Sequence, residues 1–65
     1  MYSLKDIRVL VMKVKANQIW YSYKLNYLIL TGDKIFDWFP CLSMENLGLY
    51  EEEYINKEYI FIGYL

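Results

Sequence analysis

Few side chains in this 65-residue chain could act as nucleophile, base or metal ligand. Histidine is absent and Cys41 is the sole cysteine. A cysteine nucleophile therefore has no imidazole to take its proton, and Ser3, Ser22 and Ser43 lack a base for the same reason. One thiol without histidine cannot assemble the soft ligand set of a zinc site, and it leaves no intramolecular disulfide to form. The reading of Cys41 is a small buried hydrophobe in a reducing compartment. The dense acidic run Glu51-Glu52-Glu53 lacks the alternating spacing that wraps a loop around calcium. Gly32, Gly48 and Gly63 are isolated, so neither glycine-rich phosphate cradle is present. Asp33, Asp37 and Glu45 are carboxylates that could meet, but a sheet of this size offers little cleft to enclose a sugar. The expectation is no catalytic residue, no metal and no cofactor.

The surplus is in aromatic rings. Eight Tyr, three Phe and two Trp supply large amphipathic side chains that serve small cores and contact surfaces equally well. From Ile19 to Ile29 the odd positions are apolar or aromatic and Ser22, Lys24 and Asn26 are polar, the period-two pattern of a half-buried strand. Tyr21, Tyr23 and Tyr27 then share one face with Ile19, Leu25 and Ile29, which is expected to meet the core or a second subunit. Trp20 falls on the opposite face, where it would be an exposed anchor.

The elements expected to carry these rings form a small, mainly β domain spanning residues 1–65: an antiparallel sheet, meander or partly open barrel of about five strands. Asp6 to Lys15 is apolar on both parities and reads as a central strand. Ala16-Asn17-Gln18 would close a hairpin onto a strand from Ile19 to Leu30. Thr31-Gly32-Asp33-Lys34 reads as a turn in which Gly32 supplies a positive φ, followed by a strand from Ile35 to Phe39 that stops at Pro40. The stretch from Met44 to Ile55 admits a helix or a strand. The favoured reading is one short helical turn near Ser43 to Leu47, and then a hairpin of Leu49 to Ile55 and Glu58 to Tyr64 about an Asn56-Lys57 turn.

Charge is uneven along the chain although the net value is −1. Residues 1–30 carry five cationic side chains against Asp6, whereas residues 31–65 carry two against seven carboxylates. The halves are complementary, which suits pairing across the sheet or association of two copies. Slight acidity argues against nucleic acid as partner, because binding its backbone requires neutralising phosphates. The N-terminal residues show no signal peptide, and no uncharged run approaches the roughly 20 residues that cross a bilayer. The expected location is cytoplasmic.

By elimination and by its rings, the chain reads as a small non-enzymatic domain that binds another protein, or a second copy of itself, in the manner of an inhibitor or adaptor. The composition, rich in Lys, Ile, Asn and Tyr, suits the phage-like chains of mobile elements. The expected contact residues are Trp20, Tyr21, Tyr23, Phe36 and Trp38 as anchors, with Glu51, Glu52 and Glu53 as an orienting polar rim. The alternative is a single-stranded nucleic-acid-binding β-barrel that stacks bases on Trp20, Tyr21 and Tyr23 beside Lys24.

Overall fold

A computed structural model describes residues 12–65. Five antiparallel strands make one open sheet: β1 (Gln18–Ser22), β2 (Tyr27–Thr31), β3 (Trp38–Leu42), β4 (Leu47–Glu51) and β5 (Ile60–Tyr64). One short helix, α1 (Glu52–Glu58), joins β4 to β5. The strand order β4-β3-β2-β1-β5 is a four-strand meander whose last strand pairs beside the first. Because β4 and β5 lie at opposite edges, the connection between them must cross one face of the sheet, and α1 is that crossing.

The mainly β architecture agrees with the sequence; several boundaries do not. The Asp6 to Lys15 strand lies outside the described residues as far as residue 11, and Met12 to Lys15 carry no strand pairing. The continuous strand from Ile19 to Leu30 is instead a hairpin, with Ser22 opposite Tyr27. Its turn contains no glycine. Asn26 takes φ 58°, Ser22 Oγ accepts from the Leu25 amide at 3.0 Å, and the Asn26 amide donates to the Ser22 carbonyl at 2.7 Å. Asparagine tolerates the left-handed region and serine stands in for a backbone acceptor, so uninterrupted alternation concealed a turn.

Gly32 likewise has no positive φ. Its need is space, since a Cβ there would stand 3.1 Å from Pro40 Cγ. Pro40 is inside β3 rather than beyond its end. It accepts from the Gly32 amide at 2.7 Å but has no N–H to return the bond, and β2 and β3 are paired at only two positions, Leu30↔Leu42 and Thr31↔Cys41. The two hairpins are consequently staggered.

The region left open by the sequence is strand and then helix. Ser43 to Asn46 is the β3–β4 turn rather than a helical turn, closed by the Ser43 amide on the Asn46 carbonyl at 2.9 Å. The expected Asn56-Lys57 hairpin turn lies inside α1. Glu52 and Glu53 occupy its first turn and Lys57 its last, the charge order that the helix dipole favours. The helix presents Ile55 and, one turn later at its end, Tyr59 to the sheet; both are buried.

The face beneath α1 is the core. Trp20, Ile29, Phe39 and Cys41 are buried there with Val14, Ile55 and Tyr59, and Tyr27, Tyr50 and Phe61 pack at their margin. Strand parity and register place Gln18, Ser22 and Thr31 on the same face. Gln18 is wholly buried and each of its side-chain groups is used. Its Oε1 accepts from the Lys15 amide at 2.9 Å and from Trp20 Nε1 at 3.0 Å. Its Nε2 donates to the Lys13 carbonyl and to Tyr64 Oη, each at 3.2 Å. Thr31 Oγ1 accepts from the Gln18 amide at 3.0 Å and donates to the Lys15 carbonyl. Helix residues hold the same segment from outside: Glu52 Oε2 accepts from the Val14 amide at 2.7 Å, and Asn56 bonds both the amide and the carbonyl of Met12 at 2.9 Å.

Four tyrosines converge where α1 meets β2 and β4. Tyr50 lies 6.1 Å from Tyr59 and 5.2 Å from Tyr54 between ring centroids, and the Tyr27 and Tyr59 hydroxyls are 3.3 Å apart. Burial raises the Tyr59 pKa, helped by the hydrogen bond with Tyr27, and the Tyr50 pKa rises for the same leading reason. Burial pushes the Cys41 thiol up to about 11.

Two outcomes follow from this interior. Replacing Gln18 with Leu strands the Trp20 and Lys15 N–H groups in the core, and urea unfolding should show a loss of about 3 kcal/mol; a loss under 1 kcal/mol would contradict the network's role. These acidic groups are neutral in the folded state and ionise first in the unfolded chain. Their contribution is therefore complete below about pH 9 and falls as pH rises through the ordinary values of 9.0 for the thiol and 10.0 for the phenols. Urea midpoints should drop on alkalinisation above that range, and less steeply in Tyr59→Phe, which keeps the ring and loses the proton; an unchanged slope would rule out Tyr59 as a contributor.

Candidate protein-binding surface

The second face of the sheet has no cover among the described residues, and it is apolar. Parity and register put Ile19, Tyr21, Leu28, Leu30, Trp38, Pro40, Leu42, Leu47, Leu49 and Ile60 on it. Leu28, Trp38, Leu42, Leu47, Leu49 and Ile60 are exposed, Leu28 at 51% and Leu49 at 54%. Glu51 is the charged side chain that shares this face, at the Trp38 corner. Where the two hairpins are staggered, Leu28, Leu30 and Leu42 line a shallow depression of about 270 Å³ with Met44, Ser43, Ile19 and Leu65 around it. Met44 is 98% exposed and Leu65 81%.

The sheet separates the expected anchors into three groups. Trp20 is corrected outright. It is 2% exposed, stacks edge-on against Phe61 at 5.5 Å and donates its indole N–H to Gln18. The face expected to be solvated is the one that α1 crosses, because Gln18 and Thr31 bond one another there, Ser22 accepts from the Leu25 amide, and none of them needs water. Tyr21 and Tyr23 come together at the β1–β2 turn, their centroids 4.9 Å apart at 87°. Tyr21 Oη donates to Asn26 Oδ1 at 2.6 Å, and Tyr23 is exposed. Phe36 and Trp38 lie at the other end of the sheet, within one tight turn.

That turn is strained. Ile35 and Trp38 exchange both backbone bonds, at 2.7 and 3.0 Å, which leaves Phe36 and Asp37 as its two tip residues. Phe36 takes φ 55° and is 91% exposed. A large aromatic in the left-handed region, with no burial to offset the cost, is the kind of outlier that accompanies functional surfaces. The acidic run is divided as well. Glu51 borders the apolar face, Glu52 is bonded to Val14 behind the sheet, and Glu53 is exposed on α1, so the three do not form one rim.

The aliphatic side chains Leu28, Leu42, Leu47, Leu49 and Ile60 were missed among the ring candidates. Their signal was present: Tyr27 to Leu30 and Leu47 to Tyr50 are largely apolar on both parities, which requires cover on both faces of a sheet.

The raised pKa of Cys41 keeps it protonated at neutral pH, and no group of three or more metal-ligating side chains occurs among the described residues. No helix among them is long and apolar enough to cross a membrane. Comparison with protein-family models, with curated proteins and with solved structures finds no match.

Phe36→Gly relieves the strained φ at the cost of a more flexible unfolded chain. It should raise stability by about 1 kcal/mol in urea unfolding. Equal or lower stability would show that the exposed ring makes a compensating contact within the chain.

Proposed function

We propose that this chain is a non-enzymatic protein-binding module of inhibitor or adaptor type, and that it binds through the outer face of its sheet. One observation carries the reading: among the described residues, a sheet face of aliphatic and aromatic side chains has no cover while the other is sealed by α1. Contiguous apolar surface on this scale marks interaction sites in soluble proteins. Trp38 and Phe36 at one end and the Tyr21–Tyr23 pair at the other provide rings of the type that dominate binding energy, and Glu51 gives the border a charge. A single buried thiol suits a reducing, cytoplasmic setting. Base stacking is the less favoured function, because Trp20, its central ring, is in the core.

Photo-reactive amino acids placed at Leu28, Leu49 and Lys57 test the reading in the cells of origin. Covalent adducts should form from Leu28 and Leu49 and not from Lys57 on the helix. No adduct from either leucine, or equal adducts from Lys57, would refute a binding role for this face.

A further inference from the structure

We infer that the occupant of the outer face is a second copy of this chain, stacked sheet against sheet about a two-fold axis; the inference rests on the binding role proposed for that face. Composition is the first argument. Interfaces between different proteins that meet transiently are about as polar as ordinary surface, whereas homodimer interfaces are more apolar. The outer face has Glu51 at one corner and no charge in its interior, which matches the second kind.

Area is the next. The six exposed strand residues named above, with Met44 and Leu65, are eight large side chains, each from 44% to 98% open. At about 100 Å² for a large aliphatic side chain, these exposures leave roughly 500 Å² open. That is the greater part of the roughly 800 Å² that each partner contributes to a standard interface.

Shape and charge agree. Two sheets of the same twist stack about 10 Å apart in an aligned sandwich, so a sheet face fits another copy of itself without rearrangement. The depression between the hairpins has an aliphatic lining and takes a side chain such as the partner copy's Met44. At the rim, Lys24 sits on the β1–β2 turn, Glu45 in the β3–β4 turn, and Glu51 at the end of β4 beside Trp38. The Lys24 and Glu51 ends of the sheet are opposite, so a two-fold axis lying across the strands turns the Lys24 end of one copy toward the Glu51 end of the other. Pairing through the sheet edges would leave the apolar face open, and β5 is a poor edge because its register shifts by one residue opposite Ile19 and Trp20.

Sedimentation equilibrium of the full chain from about 1 to 100 μM, the range in which such dimers form, tests this. The expected mass is twice the 7.9 kDa of one chain. Leu28→Lys and Leu49→Lys change exposed residues, so both should keep native circular dichroism while weakening self-association at least about 100-fold. Acrylamide should quench Trp38 in these variants and spare it in the dimer, with Trp20 protected in both. Glu53→Lys on the helix should change nothing. A single-chain mass throughout the range overturns the inference, as does a dimer that survives both leucine substitutions. A single-chain mass together with leucine adducts to a different protein would overturn it and leave the binding role standing; a single-chain mass with no adducts would remove both.

Discussion

A sheet has two faces, and among the described residues one short helix is present to cover them. That constraint organises the structure. Since β4 and β5 are the two edges, α1 must cross one face, and its seven residues, Glu52 to Glu58, suffice for that face alone. Ile55 and Tyr59 seal the Trp20 side with help from Val14. Every outward residue of β2, β3 and β4 up to Leu49 is nevertheless apolar, and at about 25 cal/mol per Å² the exposure of such residues is a standing free-energy cost until another surface covers them.

The side that α1 covers is chosen by polar groups rather than by hydrophobicity. Both faces are apolar enough to form a core. Only one carries Gln18 and Thr31, which bond one another, the Trp20 indole, the Lys15 amide and the carbonyls of Lys13 and Lys15, together with Ser22, which accepts from the Leu25 amide. A buried amide side chain with each of its groups bonded fixes a single arrangement, because any register slip would leave several donors and acceptors unpaired. The same network ties β1 to β5 through Tyr64 and anchors the segment that leads into the sheet. Burial of the Gln18 face and exposure of the Leu49 face are thus two results of one pattern.

This pattern explains what was legible in the sequence. The strand class was readable because alternation and aromatic content survive any choice of boundary, and the last strand was placed well because Ile60 to Tyr64 has no competing helical period. The β1–β2 turn was hidden because Asn26 and Ser22 do the work that glycine does elsewhere. The helix was hidden because Glu51-Glu52-Glu53 suits a first helical turn as well as a strand end, and Ile55 and Tyr59, one turn apart, are also consistent with two strands. The face assignment split for two physical reasons: the turn at Tyr23 to Asn26 puts Tyr27 and Ile29 on the Trp20 side and leaves Ile19 and Tyr21 outside, and polar residues on one parity, which normally indicate water, here indicate a satisfied internal network. Phe36 and Trp38 were legible as exposed rings, whereas the aliphatic surface was obscured by the attention that thirteen aromatics attract.

The chain is proposed to be half of a sandwich, with an internal polar network on one side of the sheet and an intermolecular contact on the other. Isotope-filtered nuclear Overhauser spectroscopy on a mixture of labelled and unlabelled chains examines that contact directly. The account requires intermolecular cross-peaks from the methyl groups of Leu28, Leu42 and Leu49, and none from Ile55. Cross-peaks confined to the helix side, or none between chains at millimolar concentration, would contradict it.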